Sequence, residues 1–269
     1  MPSTDLSSYQ ITKPVQVTRF DGNQTVITQE EVCTEETATI RVNGVPIVSL
    51  AITPEHLEAF ARGHLVCEGW IQSHSEIVDI KTTGMLVEVT IPSMNPREKE
   101  VEIEVRSSGC PGRRGTWSEI DHQTPDGFSV TSDLIFTAGK TVNELATIWQ
   151  KTGGTHCSVI MDRDGTIIAV AEDMGRHSSV DKAVGHALQK GVDLSQTILA
   201  CSGRLPADMV AKGVRAGIPI IISHNAPFIH GIELARKANV TLAGFVRPPR
   251  MNIYSAPHRI IIQREDPDT

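Results

Sequence analysis

The sequence predicts an α/β protein of 269 residues whose front part is a smaller, β-rich α+β domain. Two observations carry this. From Ser158 onward, short β-branched runs alternate with amphipathic stretches of about ten residues, as in parallel strands joined by crossover helices. Ahead of the polar stretch from Trp117 to Ser132, strands instead follow one another around a single helix. That stretch reads as a connector and divides the chain into domains of residues 1–132 and 133–269.

In the first domain, Val15 to Thr18 and Ala38 to Val42 favour strand. Asn43-Gly44 marks a two-residue turn into Ile47 to Leu50, because both residue types tolerate positive φ. Thr53-Pro54 opens a helix, with Thr as N-cap and Pro at the first helical position. Leu57, Phe60, Ala61 and Leu65 give that helix one apolar face, and Gly69 ends it. Leu86 to Ile91 and Val101 to Val105 alternate apolar and polar residues as half-buried strands do. The Gly/Pro-rich run Ser107 to Gly115 follows as a loop.

In the second domain, Thr141-Val142-Asn143-Glu144 has the form of a capping box and starts a helix towards Lys151. Strands Ser158 to Asp162 and Thr166 to Ala171 flank the turn Arg163-Asp164-Gly165. A helix from Ser179 places Val180, Ala183, Val184, Ala187 and Leu188 on one face and stops at Gly191. Strand Ile198 to Cys201, helix Pro206 to Ala216, strand Ile218 to Ser223, helix Phe228 to Ala238 and strand Thr241 to Val246 complete the alternation.

Aromatic residues make up only 4% of the chain, so its core rests on Val, Ile, Leu and Ala. Lys and Arg number 25 against 32 Asp and Glu, a net charge of −7. This balance excludes non-specific nucleic-acid binding, which needs a surplus of cations to neutralise phosphates. The longest apolar runs, such as Ile218 to Ile222, fall far short of the roughly 20 residues that span a bilayer. The first ten residues lack a basic segment followed by an apolar one, so no secretory signal is expected. Cys33, Cys67, Cys110, Cys157 and Cys201 are odd in number and dispersed, as reduced thiols are. These features together predict a soluble cytoplasmic protein.

Polar clusters recur after the strands of the second domain: Glu172 to His177, Ser202-Gly203-Arg204, Ser223-His224-Asn225 and Arg247-Pro248-Pro249-Arg250. In open α/β sheets ligands bind beyond the carboxyl ends of the strands, so these clusters outline a pocket. Its glycines admit backbone N–H groups to an anion, and helix N-termini add positive potential. Arg204, Arg247 and Arg250 can fork onto phosphate. Ordinary connecting loops use the same Gly and Ser residues. No phosphate-loop or dinucleotide fingerprint is present. His156, His177 and Asp181 have the chemistry either for acid–base work or for bracing loops. The triplets His56 to Glu58 and His74 to Glu76 have the H-x-E form of zinc deaminases but lack the P-C-x-x-C partner, so no metal is expected. Cys110 sits in its loop within four residues of Arg106, Arg113 and Arg114, cations that favour a nucleophilic thiolate.

Read in order, Thr152-Gly153-Gly154-Thr155-His156, Glu172 to His177, Val180-Asp181-Lys182, Ser202-Gly203-Arg204, Ala216-Gly217-Ile218-Pro219, Ala226-Pro227, Glu233-Leu234-Ala235 and Gly244-Phe245-Val246-Arg247 resemble the formate dehydrogenase accessory sulfurtransferase family (FdhD). Ile40 to Gly44 and Glu68 to Ile71 extend the resemblance, which runs from about Val15 to Tyr254. It implies a cytidine-deaminase-like three-layer C-terminal domain without zinc, behind the smaller N-terminal one, in a homodimer. It also implies that persulfide sulfur is taken from a cysteine desulfurase and delivered to the bis(molybdopterin guanine dinucleotide) cofactor, as formate dehydrogenase activity requires. Cys110 matches the sulfur-carrying loop cysteine. Phe245, Val246, Arg247, Pro248, Pro249 and Arg250 match the F-x-R-x-x-R segment that lies on the cofactor, and Ser202, Gly203, Arg204 and His177 are expected beside it.

The chain departs from the family at one point. Many members carry C-x-x-C in the loop, and here Arg113 holds the second position. A relay between two loop thiols is therefore impossible, while a persulfide on Cys110 alone needs no second thiol. The single cysteine favours an alternative, a chaperone that binds the molybdenum cofactor without carrying sulfur. A metal-free hydrolase or deaminase built on His156 or His177 has only residue types in its favour.

Overall fold

The computed structural model describes residues 9–96, 105–106 and 119–262. It opens with an antiparallel ribbon of β1 (Thr12–Asp21) and β2 (Gln24–Cys33), whose Phe20 and Ile27 are exposed. Next come β3 (Glu36–Val42), β4 (Val45–Ile52), α1 (Leu57–Cys67), β5 (Asp79–Thr83), β6 (Leu86–Thr90) and the two-residue β7 (Val105–Arg106). These strands form a five-stranded sheet in the order β5-β6-β3-β4-β7. Asn43 and Gly44 turn β3 into β4 with φ of 50° and 79°, the paired left-handed conformations of a two-residue hairpin.

The rest of the chain runs β8 (Val130–Thr131), α2 (Ser132–Glu144), α3 (Thr147–Thr152), β9 (His156–Asp162), β10 (Ile167–Asp173), α4 (Arg176–Gln189), β11 (Thr197–Cys201), α5 (Ala207–Arg215), β12 (Ile220–Ser223), α6 (Ile229–Lys237), β13 (Thr241–Arg247), β14 (Arg250–Ser255) and β15 (Ile260–Ile261). Six of these strands make one sheet in the order β10-β9-β11-β12-β13-β14. Only β11, β12 and β13 pair in parallel. The parallel pairing expected from the alternation is found in these three strands, and the sheet as a whole is mixed. The short connections Arg163-Asp164-Gly165 and Pro248-Pro249 allow only antiparallel neighbours at the two flanks.

Three helix starts differ from expectation for stated reasons. Thr53 does not cap α1, which begins at Leu57 after His56 in a left-handed conformation. Thr53 is fully buried instead. Its N–H donates to Asp173, its carbonyl accepts from Lys182 Nζ at 2.9 Å, and its Oγ1 accepts from Met174 N. The capping-box residues Thr141 to Glu144 close α2 rather than open a helix, and Thr141 Oγ1 donates back to Thr137 O. The true cap is Thr131, at the end of the apparent connector. Finally, α4 starts at Arg176, three residues before Ser179.

The alternating pattern of the large sheet sends its side chains to two cores. Val159, Met161, Ile198, Ala200, Ile220, Ile222 and Ala243 pack under α2. Ile160, Leu199, Ile221 and Leu242 face α4, α5 and α6, in the same apolar cluster as Phe60 and Leu65 of α1 and Ile40, Val42, Val87 and Val89 of the five-stranded sheet. Helices α1 and α4 cross closely because glycine stands at both contacts. A Cβ on Gly63 would lie 1.8 Å from Asp181 O, and one on Gly185 would lie 1.8 Å from Ala59 O. Near the end of the chain, the fully buried Arg259 donates to the carbonyls of Thr124, Pro125 and Asn239, fixing the segment that leads into α2.

Candidate functional site

One edge of the six-stranded sheet gathers the ends of β10, β11, β12 and β13, the first residue of β9, and the first turns of α4, α5 and α6. The residues before these helices, Gly175, Pro206 and Phe228, make no side-chain cap. Gly and Pro have no group that can, and Phe has no acceptor. The usual N-cap side-chain oxygen is thus missing from all three helix starts. Among the described residues, the only first-turn N–H of these helices served by a side chain is that of Met209 in α5, bonded to Asp208 Oδ1, and this favours an anion at the edge.

The loops at this edge hold one another. Ser202 N donates to Cys157 O, and Ser202 Oγ accepts from Cys157 N and lies 3.1 Å from His156 Nδ1. Asn225 Nδ2 donates to Ser202 O at 2.7 Å, and Ser223 Oγ donates to Gly203 O at 2.6 Å. A Cβ on Gly203 would come within 2.8 Å of Arg176 Cβ, so glycine is what lets this loop lie against the start of α4. Arg247 donates to His224 O, and Phe245, with φ of 54° and a half-exposed ring, hangs from Asn225 O.

The structure therefore brings together Ser202, Gly203, Arg204, His156 and His177, with Phe245, Arg247, Pro248, Pro249 and Arg250 on an exposed turn beside them. Val246, expected with them, points the other way; it is fully buried, near Gly139 of α2, and has no surface to offer a ligand. Cys110, Arg113 and Arg114 lie outside the described residues. Sequence reasoning passed over Asn225 as a loop tie and Asp208 altogether, since an acid in a first helical turn carries no distinguishing signal.

Charges behind the edge are structural. Glu172 accepts from Ile148 N, Trp149 N and Thr155 Oγ1 and so caps α3 from the neighbouring strand. Asp173 pairs with Lys182 at 2.7 Å. Asp181 does not meet His177 but bonds His64 at 3.0 Å and Lys212 at 2.8 Å, and Lys212 also pairs with Glu68. His64, Glu68 and Asp181 offer three ligand-type atoms within 4.8 Å of one another, yet the Lys212 ammonium already serves as their cation. His177 is different. Both its ring nitrogens are enclosed without a hydrogen-bond partner, as is Nε of Arg176. Burial first, then Lys212 and Arg176, push its pKa down to about 3, so it is neutral at physiological pH. His156 is lowered by burial and by Arg176 and Arg204.

Fold and site together define a mixed α/β protein with polar loops and helix starts gathered at one sheet edge in a way that suits an anion, and no helix among the described residues long and apolar enough to cross a membrane. The profile of the FdhD/NarQ family matches residues 33–261, and the chain belongs to that family. It is 37% identical over 233 residues to the sulfur carrier protein FdhD of Methanothermobacter thermautotrophicus, covering 86% of this chain and 92% of that one. The sulfur carrier protein FdhD of Shouchella clausii is 30% identical over 257 residues, 91% of this chain and 95% of the relative. A crystal structure of a candidate formate dehydrogenase accessory protein from Desulfotalea psychrophila shares the fold, with a TM-score of 0.79 over 94% of this chain and 100% of that one at 24% identity.

Proposed function

We propose that the chain is a cytoplasmic sulfurtransferase, working as a homodimer. Cys110 takes sulfur as a persulfide from a cysteine desulfurase and passes it to bis(molybdopterin guanine dinucleotide), bound as substrate at the strand-end cleft, for formate dehydrogenase. The state of the other thiols is the observation that carries this reading. Burial, then the Asp181 carboxylate, pushes Cys67 well up; burial, then Glu172, takes Cys157 to about 12; burial takes Cys201 to about 11. All three are protonated at neutral pH, whereas attack on a persulfide needs a thiolate. Cys33 is half-buried with Sγ 2.9 Å from Thr152 Oγ1. Burial does not set Cys33 aside, and Cys110 is preferred as the nucleophile for its arginine neighbours in the sequence.

The uncapped helix starts and the exposed Arg204 and Arg250 suit the diphosphates of that cofactor. The strand order β10-β9-β11-β12-β13, with helices on both faces, supports the zinc-free cytidine-deaminase-like layering. The lone loop cysteine favours the second reading, a cofactor chaperone without covalent sulfur. Incubation with a cysteine desulfurase and cysteine, followed by intact mass and peptide mapping, separates the two. One added sulfur on the Cys110 peptide, absent from Cys110→Ala, is expected, and that variant should fail to activate formate dehydrogenase. An unmodified chain beside a desulfurase active on another acceptor would establish the chaperone instead.

A further inference from the structure

His177 and Asp208 face each other across the first turns of α4 and α5. Nε2 of His177 lies 3.5 Å from Oδ2 of Asp208, beyond a good hydrogen bond. Asp208 Oδ1 accepts from Met209 N at 2.9 Å, and Oδ2 receives no donor among the described residues. A carboxylate serving only the start of α5 would account for Oδ1 but not for Oδ2, nor for an enclosed imidazole with both nitrogens unpaired. Asp208 keeps 20% of its side chain exposed and His177 9%, so the carboxylate is the accessible member of the pair.

The surrounding charges select the kind of ligand. Around His177 stand Arg176 on α4, Asp208 and Lys212 on α5, Glu68 on α1 and His156 on β9. A neutral imidazole offers one N–H and one lone pair, and the adjacent carboxylate repels phosphate while attracting N–H donors. The complementary group is uncharged and presents N–H beside C=O. Phosphates have the exposed arginines of the rim.

We propose that His177 and Asp208 are specificity-determining residues that read a 2-amino-4-oxopyrimidine edge, the N–H and C=O pattern shared by guanine and pterin. Asp208 Oδ2 accepts from the ring N–H or the exocyclic amine, and His177 donates to the carbonyl oxygen. The assignment rests on the cofactor reading above, whose ligand carries both rings.

Calorimetric titration of the full chain with GDP, IDP, XDP, pyrophosphate and 6-hydroxymethylpterin tests it. Wild type should bind GDP more tightly than IDP, which lacks the amine, by roughly 10- to 100-fold, the worth of one charge-assisted bond. Asp208→Asn should lose that preference and gain XDP, whose extra carbonyl accepts from the new amide, with pyrophosphate unchanged. If the variant weakens hydroxymethylpterin rather than GDP, the edge read is the pterin's. Equal binding of GDP and IDP by wild type, with pterin binding unaltered in Asp208→Asn, overturns the assignment and leaves the cofactor reading standing. Wild type that binds neither GDP nor the pterin sinks both. The wild-type GDP to IDP ratio holds even where the variant fails to fold.

Discussion

Lys212 shows how a single side chain can decide the fate of its neighbours. Its ammonium is enclosed between Asp181 and Glu68, and removing it would strand two buried carboxylates. Breaking such a pair costs about 3–5 kcal/mol, so Lys212→Met should lower the urea midpoint by that equivalent. Burial would raise both carboxyls, but the ammonium and His64 outweigh it and hold them below their ordinary range. A depressed carboxyl stabilises fully above its unfolded value and loses that contribution as pH falls through its folded one. His177 acts in the same direction, because its pKa drops from 6.5 to about 3 on folding. Urea midpoints should therefore decline as pH falls from 6.5 towards 3, and His177→Gln should flatten that slope. The reading of Cys110 rests on its arginine neighbours in the sequence alone, since it lies outside the described residues, whereas Asp208 became visible only once α4 and α5 lay side by side.

The crossing of α1 and α4 depends on two residues without side chains. With a methyl at position 185 aimed 1.8 Å from a carbonyl oxygen, Gly185→Ala must push the helices apart. A loss of about 3 kcal/mol, the upper end of ordinary overpacking, is expected in chemical denaturation. Ala187→Gly on the same helix should behave differently, losing only propensity and a small buried methyl. Elements with strong local signals were readable: the Asn43-Gly44 hairpin, and α5 and α6 between their strands. Misreadings arose where a distant partner overrode a local rule. Thr53 looked like a cap, but Asp173, Met174 and Lys182 claim its polar groups. α3 has no cap of its own because Glu172, on β10, supplies one. β2 and β14 escaped notice because neither shows clean alternation, one being largely exposed and the other half-buried.

At the scale of the whole molecule, one apolar cluster joins the five-stranded sheet, α1, α4, α5, α6 and a face of the six-stranded sheet. Calorimetry should accordingly record one cooperative unfolding transition, with calorimetric and van't Hoff enthalpies in agreement; two resolved transitions would show that the shared core does not couple the halves. The gathering of Ser202 to Arg204, Ser223 to Asn225 and Arg247 to Arg250 at one sheet edge was foreseeable because these loops follow strands, while the α1–α4 seam was not, since nothing in a sequence says which helices will touch. The clip at Arg259 has a mechanical consequence. Thr124 and Pro125 are riveted by a buried guanidinium, and Thr124 N is anchored on Ala238 O. Traction on the chain ahead of Thr124 would therefore be taken up at this rivet, and α2 with the strand-end loops behind it would stay taut.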